Sequence, residues 1–535
     1  MANKFYNRRQ FLQTASLFST ALMASLASPR LTRASDEPVE AVVIGSGFGG
    51  SVAALRLGKA GIKTVVLERG RRWTIKPDQN TFATYRNPDG RCAWLSPNAP
   101  LFEESPIDIY TGVLQRKDEN GISVLCGAGV GGGSLVYNGI TYQPPRQTFE
   151  RVFPSSINYD EMDKIYYPRV RSILKPSPLP QDILATSYYQ STRIFLEQAN
   201  IAGFPNGLLD MATDWDIVRQ EINGTKSPSA IIGEIWYGIN SGAKKSLDGN
   251  YLAQAEQTGN VEILPLHIVT EISEVPGRGY RVSCIQINEY GVTIKSISIT
   301  CRYLFLAAGS MGTSELLVKA KAKKTLPNLN DYVGQGWGNN GDNFGTRSGL
   351  PPTNPGQGGP ATGRLEHLDN PFGPVILVEY PTWNAPEGTL SALGMAIPRN
   401  SGSFKYDAAK DAVKLNWAAD SPENKKLLKD VEYTYRILDR KNTTFNRQPH
   451  TELRLGSHKR KNQPTSMNSA TITAHPLGGA VMDKVCDTYG RVIGYQGLYV
   501  VDGALIPGST ACTPPSITIA ALAERCMEQI IADIS

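Results

Sequence analysis

Ala41-Val42-Val43-Ile44-Gly45-Ser46-Gly47-Phe48-Gly49-Gly50 decides the fold of this 535-residue chain. A short β-branched apolar run enters a glycine turn, and the helical pattern Ser51-Val52-Ala53-Ala54-Leu55-Arg56-Leu57 follows. A second apolar strand, Thr64-Val65-Val66-Leu67, ends at Glu68. Strand, glycine turn, helix, strand and closing acid are the βαβ fingerprint of a dinucleotide site. Gly45 allows the tight turn, Gly47 lets backbone approach a pyrophosphate, and Gly50 lets the helix pack on the strand. Phe48 and Gly49 complete the ligand-facing turn, where the helix N-terminus offers free N–H groups to phosphates. Glu68, 21 residues beyond Gly47, is placed to accept hydrogen bonds from a ribose.

The chain is too long for one ordinary core, so two or more domains are expected. Charged residues at 19% and hydrophobic residues at 41% fit a soluble globular protein. The net charge of +6 is misleading, because residues 1–34 hold Lys4, Arg8, Arg9, Arg30 and Arg33 and no acid. The rest is almost neutral, so no basic face for nucleic acid is expected. Asn7-Arg8-Arg9-Gln10-Phe11-Leu12 is a twin-arginine pattern, followed by a mildly apolar Ser/Ala-rich run from Thr14 to Ser28. It reads as an export signal cut near Ala27 or Ala34, giving a periplasmic or secreted protein. A lipid-embedded anchor and an unstructured basic tail are the alternatives. The seven cysteines are scattered without CxxC, and the five histidines form no HxxxH pair, so neither a disulfide framework nor a metal is indicated.

Residues 71–120 are irregular and aromatic (Trp73, Phe82, Tyr85, Trp94, Phe102), as in a lid or a surface wrap. Gly127-Ala128-Gly129-Val130-Gly131-Gly132-Gly133-Ser134 lets backbone N–H groups crowd round an anionic or planar ligand, or forms a flexible turn. A helical pattern runs from Asp182 to Ala199. Strands are expected at Val261–Leu264, Gly279–Ile287, Val292–Thr300 and Tyr303–Leu306, the last entering a glycine turn and a helix, Gly312–Ala320. Further strands are read at Val375–Tyr380 and Ser391–Pro398, with helices around Pro422–Ile437 and Ile517–Ile531. Glycine turns near 45, 130, 309 and 503 imply an α/β fold, with one discontinuous Rossmann-like domain and an inserted α+β domain carrying a β-sheet. The implied pieces are 35–150, 255–330 and 466–535 for the nucleotide domain, and 151–254 and 331–465 for the insertion.

These elements together resemble the glucose–methanol–choline (GMC) oxidoreductases, most of all the bacterial cholesterol oxidases with non-covalent FAD. The resemblance covers roughly residues 40–530. It rests on Val42–Gly50, Gly131–Leu135, Lys245-Ser246-Leu247-Asp248, Cys301–Leu306, Ser314–Val318, Lys414-Leu415-Asn416-Trp417, His475-Pro476-Leu477-Gly478-Gly479, Asp502–Gly508 and Ala520–Arg525. It implies FAD with Gly45, Gly47 and Gly50 under the pyrophosphate, Glu68 on the ribose, and backbone near Val269 on the adenine side. Gly129, Gly131, Gly133, Ser134 and Asn138 would pack on the isoalloxazine, with Asp502 and Gly503 near the ribityl and phosphate groups. It further implies oxidation of a sterol 3β-hydroxyl with oxygen as acceptor, by a monomer. His475 would handle the hydroxyl proton, and Glu379 would shuttle one during steroid double-bond isomerisation. On pattern alone the favoured readings are a structural histidine at His475 and an outward strand carboxylate at Glu379. If the substrate is a membrane sterol, residues 71–105 would touch a lipid surface transiently.

One departure matters. The family keeps an Asn or a second His just before the terminal helix, where this chain has Pro514. Proline has no side-chain donor and no N–H, and Thr513 offers a hydroxyl only one residue earlier. Ala474 also stands where cholesterol oxidases have an aromatic. One lost polar contact to a transition state costs about 2–4 kcal/mol. That points to a slow sterol oxidase, an enzyme for another bulky apolar alcohol, or a flavin- and steroid-binding protein with decayed chemistry.

Overall fold

The computed structural model describes residues 32–33, 38–101, 105–360, 362–442, 450–454 and 471–534. The twin-arginine pattern and the apolar run after it lie outside the described residues, as does Phe102. No described helix is long and apolar enough to cross a membrane.

Five strands run parallel in the order Val261–Leu264, Thr64–Leu67, Val39–Ile44, Thr293–Leu306, Leu498–Val500. Residues Ala41–Ile44 are fully or almost fully buried, as a parallel strand covered on both faces should be. The helix Phe48–Lys59 lies against this sheet with Val52, Ala53, Ala54, Leu55 and Leu57 buried. The terminal helix Ser516–Ile534 packs beside it. Arg56 joins the two, its Nε and Nη2 donating to the buried Glu524 carboxylate at 2.6 and 2.7 Å. The Rossmann-like domain is therefore assembled from both ends of the chain.

Residues Val292–Leu306, expected as two strands, form one strand, Thr293–Leu306. The expected gap is Cys301-Arg302, yet the Arg302 side chain simply alternates outward, while Cys301 is paired on both edges, to Val39 and to Tyr280. The N-terminal half of the strand carries an antiparallel meander with Gly279–Ile287 and His267–Val275. The expected helix 182–199 is split into Gln181–Leu184 and Gln190–Ala202. Thr186 interrupts it by donating its hydroxyl to the Ile183 carbonyl at 2.7 Å.

A second, antiparallel sheet has the order His450–Arg454, Asn343–Ser348, Leu390–Ala396, Val375–Tyr380, Gly363–His367, Asn206–Leu208. Asn343–Ser348 and Gly363–His367 fall in a Gly/Pro/Asn-rich stretch that gave no strand signal. The hairpin Leu114–Glu119 and Ile122–Gly127 likewise emerges from the end of the irregular aromatic segment. In that segment Trp73, Phe82, Tyr85 and Trp94 are all buried. It is a wrap packed on the body, and these aromatics are not the lipid-touching tips expected of them.

Candidate active site

A cavity of about 750 Å³ runs between the two sheets. The nucleotide side contributes Gly45, Gly47, Phe48, Gly49, Glu68, Val269, Asp502 and Gly503, together with the N-terminal turn of helix Gly309–Ala322. The antiparallel sheet contributes Phe344, Val378, Tyr380 and Leu393, beside Ile140 and Trp236. Gly133, Asn138, His475, Pro514, Pro515 and Ser516 lie between these two linings.

The turn that opens this cavity is built of backbone. Gly45 has φ +96°, and a Cβ there would stand 2.3 Å from the Ala307 carbonyl oxygen. A Cβ on Gly50 would meet the Gly45 oxygen at 2.0 Å, so Gly50 seats the helix on the turn and does not line the cavity. At Gly47 and Gly133, by contrast, a Cβ would meet no protein atom within 4 Å. The Asn138 Oδ1, also in the lining, is buried without a partner among the described residues. Bare backbone facing open space, an unused buried acceptor and two helix N-termini fit a dinucleotide carrying an anionic diphosphate and a polar ring. The first turn of the terminal helix has no acidic residue, so its positive end is uncompensated where Ser516 meets the cavity.

Several expected cofactor contacts are supports instead. Ser134 is fully buried, donates to the Gly131 carbonyl at 2.7 Å and accepts the Leu247 N–H at 2.9 Å. Gly131 donates its N–H to Ser46 Oγ at 3.1 Å, and Gly129 accepts from the same hydroxyl at 3.3 Å. None of the three lines the cavity. Together they tie the 129–134 loop to the first glycine turn, leaving the contact surface to Gly132 and Gly133. Glu68 reaches the cavity but also clamps this loop, accepting from Ser46 N, Ser46 Oγ and Gly70 N at 3.1, 2.7 and 2.8 Å. Asp502 accepts from Thr313 Oγ1, Gly309 N and Ala504 N at 2.6, 2.8 and 2.8 Å, and burial pushes its carboxyl up to about 6.

His475 faces the cavity from the segment after strand Thr471–Thr473. Its Nδ1 lies 2.9 Å from Oδ1 of Asp342, a carboxylate with no exposed side-chain surface. A carboxylate only accepts, so Nδ1 carries the hydrogen and Nε2 is left for the cavity. Asp342 gave no sequence signal, since it sits in a glycine- and asparagine-rich stretch 133 residues away.

Family models described as GMC oxidoreductase match residues 39–336 and 398–523. The chain belongs to the GMC oxidoreductase family. A cholesterol oxidase of Mycobacterium tuberculosis is 27% identical over 91% of this chain and 90% of its own length. A cholesterol oxidase of Acinetobacter baumannii is 25% identical over 92% of this chain and 94% of its own. The crystal structure of pyridoxine 4-oxidase from Mesorbium loti superposes with a TM-score of 0.62 at 15% identity, covering 92% of this chain and 98% of that one. The GMC oxidoreductases are FAD-dependent flavoproteins acting on alcohols, and FAD is the cofactor of this chain too.

Pro514 lines the cavity where a donor was expected. Thr513 does not replace it, because its hydroxyl donates to the Thr510 carbonyl at 2.9 Å. It stays out of the lining.

Glu379 is not in the site either. In strand Val375–Tyr380 the side chains of Val378 and Tyr380 line the cavity, so Glu379 between them points to the other face of the sheet. There one oxygen accepts from Thr192 Oγ1 at 3.1 Å and from Gly363 N at 3.4 Å, while Oε1 has no partner among the described residues. Burial pushes this carboxyl up from 4.5 to about 7. The folded-state value is above the unfolded one, so Glu379 is tolerated fully below about 4.5. Its cost grows as pH rises through about 7, reaching about 3 kcal/mol. E379Q does not titrate. Denaturant unfolding should show wild type losing about 2–3 kcal/mol relative to E379Q between pH 5 and pH 8. A constant difference would mean the carboxyl is not perturbed.

Proposed function

We propose that this GMC oxidoreductase oxidises a secondary hydroxyl on a bulky apolar substrate of the sterol kind, with oxygen as the electron acceptor. The observation that carries the reading is the Asp342-anchored imidazole of His475 bordering a cavity whose far lining is apolar (Ile140, Trp236, Phe344, Val378, Leu393). The coverage of this chain by cholesterol oxidases at both ends agrees with it. FAD, when bound, supplies a two-electron acceptor for the carbinol hydrogen. The chain itself orients the hydroxyl, excludes water with the apolar wall, and accepts the hydroxyl proton at His475 Nε2. With Glu379 behind the sheet, isomerisation loses the carboxylate that the resemblance assigned to it and is not part of this reading. Export directed by Arg8-Arg9 is.

The test is anaerobic mixing of the purified yellow protein with cholesterol. Bleaching of the flavin is the expected result, with peroxide formed when air is admitted. A flavin that stays oxidised with cholesterol but bleaches with another apolar alcohol supports a second reading, a different alcohol, which Pro514 favours. Steroid binding with no bleaching by any alcohol would mean that the chemistry has decayed.

A further inference from the structure

We infer that Asp342 is the positioning residue of the proton acceptor, fixing the tautomer of His475 and balancing the positive charge that the imidazole gains during alcohol oxidation. The inference rests on the alcohol-oxidising reading but is tested separately from it.

The carboxylate is held with no freedom. Oδ1 faces His475 Nδ1 at 2.9 Å, and Oδ2 accepts the Thr473 hydroxyl at 2.7 Å. That same Thr473 oxygen accepts the backbone N–H of His475 at 2.9 Å, closing a ring of contacts from carboxylate to hydroxyl to the histidine itself. The turn bearing Asp342 is pinned on both sides. Asn339 Oδ1 accepts the Gly341 N–H at 3.1 Å, and Asn343 Nδ2 donates to the Gly341 carbonyl at 2.7 Å. Among the described residues no lysine or arginine pairs with Asp342, so the imidazole is its one cationic partner.

The same short segment also anchors the backbone around Pro514. Asn340 Oδ1 accepts from Thr510 N at 2.8 Å and Thr510 Oγ1 at 3.1 Å, and its Nδ2 donates to the Thr513 carbonyl at 2.9 Å. Residues 339–343 therefore fix both the ring of His475 and the backbone that presents Pro514.

The proton inventory follows. The substrate O–H bond breaks and an N–H bond forms at His475 Nε2. The freed electron pair becomes part of the C=O bond as the carbinol hydrogen leaves with its own pair to the FAD of this family. Nδ1 keeps its hydrogen throughout. An imidazolium formed beside a desolvated carboxylate is stabilised far more than one facing water. The Pro514 side chain offers neither donor nor acceptor, and the Asp342 carboxylate is the side-chain charge in direct contact with the imidazole.

The test uses the holoenzyme labelled with ¹⁵N-histidine, with the His475 resonances assigned from their loss in H475N. Wild type should show His475 protonated at Nδ1 and bare at Nε2 when neutral. Finding the hydrogen on Nε2 overturns the inference, with or without an active substrate. In D342N the Nδ1–H form should no longer dominate, and the rate of flavin reduction should fall by about 10²-fold or more at unchanged FAD content and substrate Kd. D342E should recover part of that loss. A D342N enzyme within threefold of wild type and with an unchanged tautomer overturns the inference too. If D342N fails to hold FAD, T473V, which removes the second anchor, should show the same tautomer mixing, and an unmixed His475 there counts against the proposal.

Discussion

Replacing His475 with asparagine should slow alcohol-dependent flavin reduction by about 10³-fold while leaving the protein yellow. General acid–base groups contribute typically 10²–10⁴-fold, and the middle of that range is expected of the imidazole that Asp342 orients. The Pro514 side chain has no hydrogen-bonding group, Thr513 is turned to the Thr510 carbonyl, and Glu379 lies on the far face of its sheet. The asparagine keeps much of the ring's volume and can still donate to Asp342, so fold and cofactor content should survive. Stopped-flow anaerobic reduction with the best alcohol reads the effect. A loss under tenfold would mean that the hydroxyl proton leaves by another route, and the role given to His475 would be wrong.

The second large effect separates two neighbouring glycines. Gly47 has extended backbone, φ −71° and ψ −163°, which any residue adopts, and no protein atom stands near its missing Cβ. G47V should therefore fold, melt close to the apo wild type, and come out colourless. Filling the space reserved for the diphosphate should cost about 3 kcal/mol or more, about 10²-fold in FAD Kd. G50V should behave differently. Its Cβ would lie 2.0 Å from the Gly45 oxygen, backbone against backbone, so the helix must leave the sheet. Loss of soluble folded protein is expected there, at about 4 kcal/mol or more. Flavin absorbance against protein absorbance, with circular dichroism of both variants, distinguishes them. A yellow G47V would remove the cradle from this position.

Much of the nucleotide half was legible in the sequence because its signals are local. The run Ala41–Ile44, the spacing of Gly45, Gly47 and Gly50, and the acid Glu68 all lie within one supersecondary unit. The strand Gly279–Ile287 and the terminal helix were legible for the same reason, through their periodicity. What escaped were features decided by distant contacts. Asn343–Ser348 becomes a strand because Leu390–Ala396 and His450–Arg454 pair with its two edges, against its own glycine and asparagine content. Asp342 becomes part of the site only through a partner far along the chain. Glu379 was misplaced because homology supplied its position but strand alternation supplies its side, and Tyr380 already takes the cavity face. Ser134 was read as a contact, yet its hydroxyl is spent on the loop that carries it.

The way the parallel sheet is closed bears on how the protein is made. Strand Leu498–Val500 docks on Leu304–Leu306, and Glu524 meets Arg56 across 468 residues of sequence. A nascent chain leaving the ribosome therefore cannot complete its parallel sheet until nearly the last residue is synthesised. Until then Asp502 and the terminal helix are missing from the cradle, so stable capture of the flavin must be a post-translational event. Truncation of even the final two dozen residues should abolish cofactor retention, however intact the opening motif remains.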